Sequence, residues 1–288
     1  MKKLLGLPVA NAITEACKKD IKLLSEKGIT PKIAIVRVGA RDDDIAYECG
    51  IIKRFSSVGA MVDVHELPDV TGQEKLEETI IALNNDTDVH GILLFLPLPK
   101  TLSTARIKNI IAPIKDVDCM SYINTAAIFE GSDSGYAPCT PQAVMELMNF
   151  YGIELTGKKV TVIGRSMVVG RPLSMMLVSK NATVTLCHTK TLNLIDECKS
   201  ADIIIACAGK AKMLDASFVR PGQIVIDVGI NMDGDTLCGD VYYESVNDIV
   251  EAITPVPGGV GVVTTSVLLK NTVRSAYSEK AIQMEESL

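Results

Sequence analysis

The sequence predicts an α/β protein of two domains, each a parallel sheet flanked by helices, with a Rossmann-like C-terminal domain. Three observations carry this. Short β-branched runs alternate with helix-length segments along nearly the whole chain, as βαβ crossovers require. The alternation falls into two blocks on either side of a weakly periodic stretch, Asp118 to Pro138. The second block also contains a strand running into a glycine-bearing turn, Lys159-Val-Thr-Val-Ile-Gly-Arg165, as at the start of a nucleotide-binding fold.

In the first block a helical stretch, Val9 to Lys27, precedes a strand at Lys32 to Val38. A helix from about Asp43 to Val58, a strand at Met61 to Leu67, a helix at Gly72 to Asn84 and a strand at Gly91 to Leu96 follow, punctuated by Gly and Pro. The second block opens at Cys139-Thr-Pro141, whose proline suits the first turn of a helix reaching about Tyr151. Strands are expected at Lys159 to Ile163, Thr183 to Cys187, Asp202 to Ala206 and Gln223 to Val228, with helices near Gly170 to Ser179 and Leu192 to Lys199. That order is parallel and doubly wound. A last helix, about Thr264 to Met284, follows a glycine-rich loop and is free to return to either block.

The composition fits two cores in one chain. The 288 residues are 47% hydrophobic and 22% charged, an ordinary globular balance, with aromatics at 4% and no Trp, so the cores are aliphatic. A net charge of -6 without any basic run argues against nucleic acid. Leu4 to Ala10 is short and broken by Gly6 and Pro8, so no signal peptide is expected. The longest apolar runs, Ile92 to Leu98 and Ile203 to Ala208, are strand-length, which argues against a membrane span. The eight cysteines form no C-x-x-C pair and the three histidines are dispersed. They read as buried thiols in a reducing cytoplasm and as no metal site.

Lys159 to Pro172 reads as strand, turn and helix start, aiming backbone N–H groups and a helix N-terminus at a phosphate. Gly164 and Gly170 are six apart, and Ser166 stands where the G-x-G-x-x-G pattern has its middle glycine. Roughly twenty residues on, the next strand ends Leu186-Cys-His-Thr-Lys190, without the carboxylate that NAD enzymes tend to carry there. Arg165, Thr189 and Lys190 lie near that position, and an arginine fork suits a 2′-phosphate, which favours NADP. The plainer alternative is that Arg165 and Lys190 are solvated surface charges. Cys207-Ala-Gly209 and Val228-Gly-Ile230 place small residues at strand ends, as ligand loops or as simple turns.

These segments, with Leu96-Pro-Leu-Pro99, Lys115-Asp-Val-Asp118, Pro138-Cys-Thr-Pro141 and Ile253-Thr-Pro-Val-Pro-Gly-Gly-Val-Gly261, resemble the bifunctional methylenetetrahydrofolate dehydrogenase/methenyltetrahydrofolate cyclohydrolase family. The resemblance covers nearly the whole chain in the family's order. It implies a folate-binding domain at residues 1–138 plus 265–288 and an NADP-binding domain at 139–264. Substrate would lie between them, in a cytoplasmic homodimer paired through the nucleotide domains. The partners implied are one-carbon derivatives of tetrahydrofolate. Gly164, Arg165, Ser166, Val169, Gly170, His188, Thr189 and Ile230 would bind NADP. Tyr47, Leu96, Asp118, Pro257, Gly258 and Gly259 would hold the folate. Asp118 would meet the pterin, since a carboxylate can accept two aminopyrimidine N–H donors at once; outside this motif it would read as a turn residue.

The chain departs from the family where water chemistry takes place. The family's catalytic helix carries Tyr and then Lys four residues later, on one helix face. Tyr47 matches the tyrosine, but the lysine position is Ile51. Tyr47 to Gly59 keeps the family's distance, and Lys53 lies about 240° round the helix from Tyr47. The glutamine before Leu-Pro-Leu-Pro is Phe95, the glycine after Asp118 is Cys119, the serine-like position is Asp44, and Val262-Val263 replaces Pro-Met. The expected activity is an NADP-dependent dehydrogenase with weak or absent cyclohydrolase, with Ile51 and Phe95 as the altered catalytic positions. The alternatives are a fully bifunctional enzyme in which Lys53, Asp44 or ordered water substitutes, or a lapsed folate- and NADP-binding protein. A shikimate-type dehydrogenase would require a Lys-Asp pair that the cleft positions do not supply.

Overall fold

The alternation of strands and helices is realised almost from end to end. In this computed structural model residues 2–286 are described, with side chains through Ser278. The elements in chain order are β1 (Lys2–Lys3), α1 (Gly6–Ser25), β2 (Lys32–Val38), α2 (Asp42–Ser56), β3 (Met61–Leu67), α3 (Gln73–Asn85), β4 (Gly91–Leu94), α4 (Thr104–Ile107), α5 (Tyr122–Glu130), α6 (Cys139–Phe150), β5 (Lys159–Ile163), α7 (Gly170–Val178), β6 (Thr183–Cys187), α8 (Leu194–Ser200), β7 (Ile203–Ala206), β8 (Ile224–Asp227), β9 (Asn231–Asp233), β10 (Thr236–Cys238), α9 (Tyr243–Val246), β11 (Ala252–Ile253) and α10 (Thr264–Glu286). None of the described helices is long and apolar enough to cross a membrane.

The chain folds as two units. One comprises Ala12–Cys139 and the residues from Thr265 on. Its parallel sheet has the order β3-β2-β4, with Ile33–Val36 of the middle strand bonded on both sides. A central parallel strand is covered on both faces, which is why Ile33-Ala-Ile-Val36 is apolar without alternation. Ala34, Val36, Ile92 and Leu94 pack with Leu76, Ile80 and Leu83 of α3. On α10, the Asn271 side chain donates to the Val117 carbonyl at 2.9 Å and the Ser275 hydroxyl to the Ile114 carbonyl at 2.8 Å.

The other unit comprises the residues up to Asn11 together with Thr140–Thr264. Its six-stranded parallel sheet has the order β1-β11-β8-β7-β5-β6. The chain steps from β5 to β6 on one side and returns to β7 on the other. The strand order therefore reverses between β5 and β7, the kind of switch point where parallel sheets receive ligands.

Three features differ from the sequence expectation. The segment up to Asn11 belongs with the nucleotide unit and not with the folate domain expected over 1–138. Lys2 and Lys3 pair in parallel with Ala252 and Ile253, and the Tyr151 hydroxyl donates to the Leu5 carbonyl at 2.8 Å; two strand residues are too few to show a period. The stretch expected as a plain crossing contains α5, capped by the Ser121 hydroxyl accepting from Asn124 N at 3.2 Å and ended by Gly131 at φ 70°. Ile123 and Phe129 of α5 are exposed while Asn124 is buried, so no apolar stripe marks it. The β9–β10 hairpin, antiparallel, turns at Gly234. Its two loop residues, Gly234-Asp235, are a hairpin signal in their own right.

Candidate active site

In the first unit the chain passes from β2 to β3 on one side and returns to β4 on the other, so this small sheet also has a switch point. The carboxyl ends of β2 and β4 flank it, and α2 begins there. Tyr47 on α2 is 37% exposed, and its ring lies 5.6 Å from that of Phe95. Phe95 is fixed just past β4 by its own N–H, which donates to the Val36 carbonyl at 2.9 Å. Arg41, immediately before α2, grips both carboxylate oxygens of Asp44 at 2.8 Å and donates to the Leu96 carbonyl at 2.9 Å. Tyr47, Phe95, Asp44 and Leu96 are therefore gathered at one end of this sheet. Ile51, one turn beyond Tyr47, is fully buried, and Lys53 is exposed.

Asp118 stands on a separate segment, half-buried, its Oδ1 accepting from Cys139 N at 2.8 Å. Burial pushes its carboxyl above the usual carboxylate range, the Cys139 N–H and thiol pull it back in part, and nearby Asp116 adds to the rise. Asp116 has a different task. Its oxygens accept from Met120 N at 2.7 Å, Ser121 N at 2.7 Å and the Asn124 side chain at 2.8 Å, which organises the start of α5. Of the two aspartates, the structure thus commits Asp116 to the fold and leaves Asp118 as the ligand candidate. Cys119 sits at φ 58°, a left-handed conformation that glycine adopts without penalty.

In the nucleotide unit Gly164 follows β5 at φ 123°, and a methyl on it would strike the Cys207 carbonyl at the end of β7. A methyl on Gly170 would strike the carbonyl of Gly164. The two glycines therefore let the turn fold down onto itself and open the nine-residue α7 beside the switch point. Ser166 Oγ accepts from Val169 N at 3.2 Å and holds the turn. A cradle that a side chain would fill, ending in a helix N-terminus, fits a dinucleotide pyrophosphate. Ile163 is in register with Cys187, so Arg165 and Thr189 follow two adjacent strand ends at the same level. Arg165, Thr189 and Lys190 are exposed there, and half-buried His188 accepts at Nδ1 from Lys190 N at 3.1 Å.

Ile230, after β8, is 66% exposed, and a methyl on Gly261 would lie 3.6 Å from its Cδ1. Ile230 thus reaches the glycine loop. In that loop Gly258 adopts φ 103°, and its carbonyl accepts from Gly6 N at 2.8 Å. A methyl on Gly6 would strike the Gly259 carbonyl.

Sequence reasoning missed three contributors to these sites. Arg41 shows only as an i,i+3 partner of Asp44 at a helix start. Gly6 carries no local signal. Asp240, which accepts from three backbone N–H groups of the loop after β7 and from the Asn231 side chain, shows only as an aspartate after a glycine.

Residues 4–118 match the tetrahydrofolate dehydrogenase/cyclohydrolase catalytic domain and residues 138–280 match the NAD(P)-binding domain of the same family. The chain is 53% identical over 271 residues to the bifunctional protein FolD of Clostridioides difficile (strain 630), covering 94% of each chain. Among solved structures, the bifunctional methylenetetrahydrofolate dehydrogenase/cyclohydrolase FolD of Campylobacter jejuni is 40% identical, with a TM-score of 0.95 and coverage of 97% of this chain and 99% of that one. The Trypanosoma brucei enzyme, solved with NADP cofactor and an inhibitor, is 34% identical with a TM-score of 0.91, covering 96% and 97%. On this evidence the chain belongs to the tetrahydrofolate dehydrogenase/cyclohydrolase family.

Proposed function

We propose that the chain oxidises 5,10-methylenetetrahydrofolate with NADP and has lost the hydrolysis of the methenyl product. As a member of this family it is an NADP-dependent methylenetetrahydrofolate dehydrogenase. When bound, NADP supplies the two-electron acceptor at nicotinamide C4. The methylene C–H bond breaks with its electron pair, and the lone pair of the adjacent folate nitrogen closes the C=N bond of the methenyl cation. No protein group has to take a proton. The chain's task is orientation, which backbone loops can supply. Gly164, Ser166 and Gly170 would seat the pyrophosphate, Arg165 and Thr189 the adenosine ribose with its 2′-phosphate, and Ile230 the nicotinamide side. On the family resemblance Asp118 would hold the pterin, and Tyr47, Leu96, Pro257, Gly258 and Gly259 would be further folate contacts. The resemblance extends this reading to a cytoplasmic homodimer paired through the nucleotide-binding units.

The observation that carries the second half is the apolar replacement of both groups that would handle water. Ile51 is fully buried and Phe95 lies against the Tyr47 ring. Hydrolysis requires water to attack the methenyl carbon and protons to move between water, ring nitrogen and protein. Isoleucine and phenylalanine carry no exchangeable side-chain proton. Asp44, one substitute considered above, has both oxygens in the grip of Arg41.

Two assays test the reading: NADPH formation from methylenetetrahydrofolate, and loss of methenyltetrahydrofolate in a buffer where spontaneous hydrolysis is slow. The expected result is turnover in the first and no enzyme-dependent rate in the second. Hydrolysis comparable to oxidation would restore the bifunctional reading, and neither activity would favour a lapsed binding protein.

A further inference from the structure

The buried carboxylate of Asp240 has no role in the reading above. The residue is fully buried, between β10 and α9. Its Oδ2 accepts from Ala208 N at 2.5 Å and Gly209 N at 3.0 Å, and its Oδ1 from Lys210 N at 2.8 Å and the Asn231 side chain at 2.9 Å. Three successive backbone donors thus converge on one carboxylate, from the loop that leaves the carboxyl end of β7. The fourth donor is the side chain of Asn231, where the loop after β8 enters β9. A buried charge is tolerated only when it is hydrogen-bonded in this way.

A second carboxylate sets the first. Asp227, the last residue of β8, accepts from Asp240 N at 3.0 Å, Gly229 N at 2.9 Å and Val241 N at 2.9 Å. A methyl on Gly229 would strike the Asp240 carboxylate, and one on Gly239 would strike that of Asp227. Both glycines are therefore required for this close interlock. It leaves the loops after β7 and β8 few alternative shapes.

The sheet order says which part of a ligand those loops would face. The turn after β5 suits the pyrophosphate, and the end of β6 suits the adenosine ribose. Strands β7 and β8 lie on the opposite side of β5 from β6. The other half of a dinucleotide therefore extends over the loops that Asp240 binds. We propose that Asp240 is a positioning residue for the nicotinamide half of NADP, its carboxylate fixing the loops at Ala208–Lys210 and Gly229–Asn231 against which that half rests. The proposal deepens the cofactor assignment above and depends on it.

The test compares NADP with adenosine 2′,5′-bisphosphate, the adenine-side fragment that carries the 2′-phosphate, on the intact enzyme. Asp240→Asn keeps the shape but turns a donor toward backbone N–H groups. NADP binding is expected to weaken about 10- to 100-fold, the loss of one or two charge-assisted hydrogen bonds. The fragment should bind as before, and kcat should fall. Equal weakening of both ligands, or of neither, overturns the proposal. Failure of the unmodified enzyme to bind NADP would instead overturn the cofactor reading, and the proposal with it. If Asp240→Asn does not fold, Asn231→Ala carries the test, since it removes a single donor and leaves the carboxylate with its backbone partners. It should weaken NADP several-fold with the fragment unchanged, and the same two contrary results overturn the proposal.

Discussion

Changing Ile51 to lysine and Phe95 to glutamine in one chain is expected to create cyclohydrolase activity. Ile51 is fully buried and Phe95 is 7% exposed, so the substitutions act on packed positions. The lysine stem recovers much of the apolar contact that isoleucine loses. The ammonium does not, because desolvation at a buried site disfavours its charged form. Holding a lysine neutral near pH 7 costs about 4 to 5 kcal/mol. Losing the Phe95 ring to a smaller amide adds about 2 to 3 kcal/mol. The total, about 7 kcal/mol, is a large part of the 5–15 kcal/mol that stabilises a typical domain. The assay should therefore contain NADP at about 100 times its Kd, which returns about 2.7 kcal/mol. The burial that destabilises the variant also brings the lysine's proton affinity near the working pH, as a general base requires. A positioned acid–base group is worth about 10²- to 10⁴-fold in rate, read as loss of methenyltetrahydrofolate above the unmodified chain. Ile51→Met is the control, apolar and of similar size, and should gain nothing. The reasoning is refuted if the double variant folds and still oxidises methylenetetrahydrofolate but does not hydrolyse the methenyl product. It is refuted equally if the unmodified chain already hydrolyses that product.

Three further predictions concern single positions. Arg165→Ala should weaken NADP by about 10- to 100-fold, the worth of one charge-assisted pair, while leaving NAD nearly unchanged; equal loss for both dinucleotides in parallel titrations would show that Arg165 does not read the 2′-phosphate. Asp118→Ala should abolish binding of a folate substrate and leave the NADP Kd as it was, because Asp118 belongs to the other unit from the residues assigned to NADP; normal folate titration would contradict the pterin assignment. Asp227 has its carboxyl raised by burial from the ordinary 3.8 to about 6, against the pull of three backbone N–H groups. The folded state thus binds this proton more tightly than the unfolded one, so the group's contribution falls as pH rises between 3.8 and about 6. In urea unfolding at several pH values, the stability of the unmodified chain relative to Asp227→Asn should drop by about 3 kcal/mol over that window and stay level above it. A difference that does not change with pH would sink the assignment.

Much of the fold was legible because most of its elements are long enough to show a period or a punctuating residue. The run Ile33 to Val36 declares a central parallel strand, and Gly164 and Gly170 declare the turn that their packing requires. What escaped was information held in three dimensions. Lys2 and Lys3 are a strand only because the Ala252–Ile253 edge receives them. Helix α5 is fixed by its Ser121 and Gly131 caps, without an apolar stripe. Without the family motif Asp116 and Asp118 look alike in sequence, and their partners give the physical difference between the fold-holding carboxylate and the ligand candidate. Asp240 gave no warning because its donors are backbone groups from residues 30 to 32 positions away, and the identity of those residues is irrelevant to the bonds they make.

That asymmetry bears on how one of two linked activities can be lost. Hydride transfer asks for two flat partners held face to face, and much of what would hold them here is main chain. Gly164 and Gly170 admit the turn, Gly6 N–H anchors the Gly258 carbonyl, and Asp240 gathers three consecutive N–H groups. Hydrolysis asks in addition for a proton-exchanging side chain at one point, which two substitutions on α2 and just past β4 can remove without moving any of those loops. On the proposed reading the chain lost an activity that rests on two side chains and kept one that rests on the fold. The same logic predicts the order of sensitivity to mutation. Alanine at Gly164 or Gly170 should abolish oxidation, because its methyl would collide with a backbone carbonyl that cannot rotate aside. Replacing Tyr47 by phenylalanine, which keeps the ring beside Phe95, should lower oxidation far less than either. If the phenylalanine variant proved the more damaging, oxidation would depend on the Tyr47 hydroxyl and not on the loops, and the separation of the two activities proposed here would fail.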